Sequence, residues 1–215
     1  MMRSTPTAGS RGLTVTGLIG ILVVVVSALL LGVSGGGATG IDIVWFDVLA
    51  AHRWQPLESA ALALNYVGGT LSMTIVTIVV VVVLLVLRRV REAIVIGGSV
   101  AIATAISTMI KLSLGRPRPP GALAEVETSS FPSGHTTAAA ALTIAVALLV
   151  DRLWMWVLAV AWVLAMAFSR TYLLVHWATD VTAGAILGAS VALVVFAAVQ
   201  GLLARRARVT PSAAV

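Results

Sequence analysis

The sequence has 215 residues, 60% of them hydrophobic and 10% charged, with a mean hydropathy of +1.07. So apolar a chain is not an ordinary water-soluble domain and reads as an integral membrane protein. Having no cysteine, it carries neither a disulfide framework nor a thiolate metal site, and its formal charge of +6 is scattered between apolar runs instead of gathered into a nucleic-acid-binding patch.

In chain order, Met1 to Gly12 is small, polar and basic and predicts a frayed tail. Six hydrophobic segments follow, at Leu13–Ser34, Leu62–Leu87, Ala93–Leu114, His135–Val150, Leu153–Phe168 and Val181–Leu203, before a second basic tail from Ala204 to Val215. A spanning helix takes about 20 residues, so the fourth and fifth segments are short and either extend into their flanks or end inside the hydrocarbon. The first segment follows a basic stretch, as a leader peptide would, but its apolar core exceeds the usual length of about 7–15 residues and it is read as a retained helix. The pattern predicts an all-α, polytopic bundle of six transmembrane helices, one domain over residues 1–215; its expected location is a bacterial inner (plasma) membrane.

Orientation follows from the basic residues. With the N-terminus cytoplasmic, the inside face collects Arg3, Arg11, Arg88, Arg89, Arg91, Arg152, Arg205, Arg206 and Arg208, nine of the fourteen Lys and Arg residues. The outer face then holds Arg53, Lys111, Arg116, Arg118 and Arg170, with six of the eight acids: Asp42, Asp47, Glu58, Glu125, Glu127 and Asp180. Both termini are expected on the inside.

Three short stretches fall at the outer ends of the third to sixth segments: Lys111-Leu-Ser-Leu-Gly-Arg-Pro-Arg118-Pro119, Pro132-Ser133-Gly134-His135, and Ser169-Arg170 followed by His176 and Asp180. Singly, each has a bland explanation, since basic residues at helix ends snorkel to headgroups and Pro-Ser-Gly starts helices. Together they put two of the chain's three histidines and four of its outer cations on one side of the membrane. Lys111, Arg118 and Arg170 define an anion site, the two guanidinium forks being suited to two-point contacts with phosphate oxygens. Ser133 and Gly134 add the free N–H groups and positive dipole end of a helix start. His176 and Asp180, at i and i+4, share one helix face, so the carboxylate can hold the Nδ1 proton and leave Nε2 to attack phosphorus. His135 is left as the general acid for the departing oxygen, and then as the base for water.

The pattern Lys-x6-Arg-Pro, Pro-Ser-Gly-His, Ser-Arg-x5-His-x3-Asp resembles the type 2 phosphatidic acid phosphatase (PAP2) family, at motif level from Lys111 to Asp180 and loosely in its six-helix layout. The resemblance implies the same roles: His176 nucleophile, His135 acid/base, Asp180 partner of the nucleophile, and Lys111, Arg118, Ser133, Gly134 and Arg170 around the phosphate, with no metal or other cofactor. It implies a phosphatase acting on a membrane lipid phosphate, with the bilayer as its surroundings and no nucleic acid.

Two other readings compete. A metal centre built from the histidines and a carboxylate would meet three converging cations, costing several kcal/mol at an effective dielectric of about 20. A lipid transporter or flippase would also use six helices, but such proteins bury ionisable groups at mid-membrane, where these segments hold only Asn65, Ser and Thr. The tryptophans read as interfacial anchors, Gly68-Gly69 and Gly184-x3-Gly188 as close helix contacts, and Glu125 and Glu127 as solvated loop acids. For the substrate, undecaprenyl diphosphate is expected over phosphatidic acid or phosphatidylglycerol phosphate, because Arg116 offers a fourth cation for a second phosphate.

Overall fold

The computed structural model describes residues 8–124 and 129–209, so Glu125 and Glu127 lie outside the described residues. Its elements are α1 (Ala8–Val33), α2 (Gly40–Ala51), α3 (Gln55–Val67), α4 (Thr70–Val86), α5 (Val90–Leu114), α6 (Gly134–Val150), α7 (Leu153–Tyr172) and α8 (Ala178–Val209). Four helices, α1, α5, α7 and α8, are long and apolar enough to cross a bilayer, and α3 with α4 makes a fifth such unit bent by 46°. The 17-residue apolar α6 completes the six segments. The all-α polytopic bundle is therefore present, with differences of detail.

The expected second segment is not one helix. It is broken at Gly68-Gly69, where the Gly68 N–H closes α3 on the Leu64 carbonyl, the Gly69 N–H donates to that of Tyr66, and Gly69 is extended ahead of α4. These glycines thus form a bend, although Gly68 also lies against α7, since a Cβ there would fall 1.8 Å from the Met166 methyl. The stretch expected as an outer loop before that segment is itself helical. Thr39 and Asp42 form a capping box that starts α2, and Pro56 in the first turn of α3 fits where its missing N–H is not needed. The tails also hold more helix than expected: α1 begins at Ala8 and α8 runs on to Val209.

The centre of the bundle is α6, whose Ala139, Ala141, Ala145 and Ala147 are fully buried. Because lipid tails are as apolar as Leu, helices in a membrane gain little from hydrophobic burial and associate through close packing of small residues. Accordingly α8 presents Gly184 and Gly188 to α6, and an added Cβ would lie 2.6 Å from the Ser133 carbonyl or 2.2 Å from that of Thr137. The expected close contact at this pair is present. On the outside, Leu22, Leu158 and Leu164 are more than half exposed, as side chains bathed by acyl chains would be. Tight α6–α8 packing brings the N-terminal ends of both helices together, and the candidate site is built there.

Candidate active site

The first stretch begins in the last turn of α5. Gly115 ends that helix in the left-handed region (φ 62°, ψ 27°), its N–H donating to the Lys111 carbonyl, and turns the chain inward at Arg116. Lys111 Nζ donates to the Ser129 carbonyl at 2.7 Å, and its side chain lies over Gly134, where a Cβ would sit 3.8 Å from Lys111 Cε. Arg118, three residues past Gly115, donates through Nη1 to the Val175 carbonyl at 2.5 Å and lies 3.3 Å from His176 Nε2.

The second stretch caps α6. Ser133 is buried, accepts from Thr136 Oγ1, and donates its own N–H to the Asp180 carbonyl at 3.0 Å. That N–H is therefore committed; the first-turn N–H groups of α6 that follow it are the ones a helix leaves open. His135 lies within electrostatic reach of Arg170, His176, Lys111 and Arg118.

The third stretch spans the end of α7 and the start of α8. Ser169 donates to the Ala61 carbonyl at 2.9 Å, and buried Arg170 donates through Nη1 to Asn65 Oδ1, so α3 anchors both. Arg170 Nε is buried without a hydrogen-bond partner. His176 is not on a helix with Asp180, as the i, i+4 spacing suggested. It sits in the segment between α7 and α8, while Asp180, in the first turn of α8, accepts from the Trp177 N–H at 2.8 Å. Asp180 Oδ2 is 3.4 Å from His176 Nδ1, an ion-pair-range contact that falls short of a hydrogen bond.

The His176 tautomer follows from its neighbours. A guanidinium can only donate, so Nε2 facing Arg118 presents its lone pair, and Nδ1 facing the carboxylate carries the proton. Burial pushes the His176 pKa down to about 4, with Arg118 and Lys111 adding to the effect and Asp180 opposing it. The imidazole is thus neutral near pH 7. Burial also lowers the Arg118 pKa, partly offset by Asp180, but a guanidinium remains charged. The result is a neutral imidazole whose lone pair faces a group of cations. Among the described residues, no group of three or more His, Cys, Asp or Glu is arranged to hold a metal ion.

A family model for the PAP2 superfamily matches residues 92–203, a range that contains all three stretches. The chain belongs to the PAP2 superfamily. A decaprenylphosphoryl-5-phosphoribose phosphatase of Mycobacterium tuberculosis is 42% identical over 113 residues, half of this chain and 62% of the relative, so the match spans about three fifths of that protein's length. An undecaprenyl-diphosphatase of Sulfolobus acidocaldarius is 41% identical over 61 residues, 27% of this chain and 28% of that one. A transmembrane PAP2-type phosphatidylglycerolphosphate phosphatase from Bacillus subtilis superposes with a TM-score of 0.70 at 20% identity, covering 88% of this chain and 96% of that one. That likeness establishes the PAP2 fold.

Within this PAP2 framework Arg116 does not fit either sequence expectation, second-phosphate contact or headgroup anchor. It is 1% exposed and pairs with Asp42 at 2.7 Å and Asp180 at 2.5 Å. Its remaining donors go to Thr179 Oγ1 and to the Gly36 and Gly37 carbonyls. No donor is left to meet a phosphate, because two buried carboxylates, the Thr179 hydroxyl and the α1–α2 linker take them all. Asp42, read as an outer acid, is the missed residue of this site: it also accepts from the Thr179 N–H and hydroxyl, and although burial alone would raise its pKa, these bonds hold it below the ordinary carboxylate value. Trp177 is likewise no surface anchor, since it is largely buried and donates through Nε1 to the Pro117 carbonyl at 2.9 Å. Asn65, noted only for its depth, holds Arg170. These side chains lack a local pattern; only the rarity of charge in an apolar chain marks Asp42 in the sequence.

Proposed function

We propose that this chain is a membrane lipid phosphatase that removes a terminal phosphoryl group from a polyprenyl-linked lipid through a phosphohistidine on His176. The observation that carries the reading is the placement of His176, whose Nε2 lies 3.3 Å from Arg118 Nη1 and whose Nδ1 faces Asp180. An imidazole held unprotonated beside fixed cations is a nucleophile aimed at an anion. In the first step, Nε2 bonds to phosphorus while the P–O bond to the lipid breaks, and His135 gives its proton to the leaving oxygen. Lys111, Arg118, Arg170 and the open N–H groups of α6 hold the equatorial oxygens as charge builds. Asp180 balances the cationic imidazole ring. In the second step His135 takes a proton from water, whose oxygen displaces His176 and yields inorganic phosphate.

The substrate expectation changes with Arg116. With that cation committed to Asp42 and Asp180, the site holds charge for one phosphoryl group, and the reason for preferring undecaprenyl diphosphate falls away. A polyprenyl lipid ending in a phosphomonoester fits the three available cations, and the greater likeness to the mycobacterial sequence supports it. Phosphate release by the purified chain should proceed in EDTA and be inhibited by vanadate, which can imitate the five-coordinate transition state. Activity lost in EDTA and restored specifically by zinc, iron or magnesium would instead reinstate a metal centre.

The site faces outward from a bacterial inner membrane in this reading, with both termini cytoplasmic. The support is the basic bias of the opposite end, where Arg88 and Arg89 join α4 to α5, Arg91 lies in the first turn of α5 and Arg152 precedes α7. A cysteine at Ala122 should react with an impermeant thiol reagent on intact cells, and one at Ala207 should not. The reverse pattern inverts the topology.

A further inference from the structure

Beneath the phosphate site, a cavity of about 430 Å³ lies between α4, α5 and α6, reaching from Lys111, Ser129 and Gly134 to Val100. At 1.5 Å per residue, Val100 is about 16 Å along α5 from Lys111, a depth far beyond one phosphoryl group. Its wall is unusual for a lipid-facing helix bundle, because it carries the hydroxyls of Thr74, Thr104, Ser107 and Thr108.

Hydroxyls on apolar helices commonly fold back onto the carbonyl four residues earlier. Ser27, Thr77, Ser113 and Thr143 all do so here, at 2.7–2.9 Å. Ser107 does not. It is 2% exposed, it lines the cavity, and its Oγ has no hydrogen-bond partner. Ser99, two turns away on α5, shares that state but lies off the cavity wall. A buried hydroxyl left unpaired costs free energy, and a hydroxylated guest in this cavity would remove that cost.

We propose that this cavity is a subsite for the hydroxylated leaving group of the substrate, the sugar of a polyprenyl-linked sugar phosphate, with Ser107 and Thr104 as its hydrogen-bonding wall. The proposal rests on the phosphatase reading above and narrows its substrate. In the first step the bond between phosphorus and the sugar oxygen breaks, His176 takes the phosphoryl group, and His135 supplies the proton that leaves the sugar with a free hydroxyl. Lys111, shared by cavity and phosphate site, marks the junction between the two. The diacylglycerol left by phosphatidic acid brings only the hydroxyl released in the reaction. The polyprenyl phosphate left by undecaprenyl diphosphate brings no sugar hydroxyl for this wall to meet.

The test compares kcat/KM of the purified full chain for decaprenylphosphoryl-5-phosphoribose, undecaprenyl diphosphate and phosphatidic acid. Wild type should favour the sugar phosphate. Ser107→Ala and Thr104→Val should each cut the ratio of sugar phosphate to phosphatidic acid by about fivefold, the worth of one hydrogen bond, while Thr104→Ser restores it. A ratio unchanged in both variants, or a wild-type preference for either other lipid, overturns the subsite but leaves the phosphatase standing. Failure to release phosphate from any of the three overturns both.

Discussion

His176→Ala should abolish turnover, by about 10⁴-fold or more, in a protein that still folds. The large kinetic effect follows from removing the atom that bonds to phosphorus. The small structural effect follows from how little the native ring holds in place: its Nδ1 has no hydrogen-bond partner, and Asp180 keeps its bonds to Arg116 and the Trp177 N–H without it. Melting temperature in detergent and elution volume should therefore stay near wild type. His135→Ala should differ in kind, with activity falling by about 10²–10⁴ and most severely for poor leaving groups, because a general acid matters most when the departing oxygen is basic. Rapid quenching into alkali should trap phosphate on His176 in wild type. Substantial turnover by a folded His176→Ala protein would end the phosphohistidine mechanism.

Arg116→Met should be the most destabilising change to a basic residue near the site, whereas Lys111→Met should be nearly neutral for stability and severe for activity. The two residues lie five positions apart at the same end of α5, yet their surroundings differ. Arg116 is fully enclosed between Asp42 and Asp180, and methionine would leave two buried carboxylates without their shared cation. Removing one partner of a buried pair costs about 3–5 kcal/mol, here a fall in melting temperature of about 10 °C. Activity would fall with it, because Asp180 would lose the bond that fixes its carboxylate. Lys111 makes one hydrogen bond, to the Ser129 carbonyl, and sits among like charges, so its loss relieves repulsion while removing a phosphate contact. Thermal unfolding and phosphate release, measured on the same preparations, check both. Equal melting temperatures for the two variants would show that Arg116 clamps nothing.

The sequence by itself determined the membrane class, the six apolar segments and the three short stretches. Each of these is local. A run of apolar residues is long enough to span or it is not, and a Lys, Arg or His in a chain with 10% charged residues stands out wherever it falls. Tertiary structure alone decided what each charge does. Arg116 and Arg118 look alike in the sequence, flanking one proline, but the turn at Gly115 and the packing of α2 beside α8 send Arg116 to Asp42, 74 residues away, and leave Arg118 beside His176. The i, i+4 spacing of His176 and Asp180 suggested a shared helix face, whereas the helix starts between them and the contact comes from the cap. The bend at Gly68-Gly69 and the cavity lined by Ser107 were equally invisible. Both depend on which helix lies opposite, and in lipid that choice is made by close fit between surfaces, for which an apolar segment carries almost no local signal.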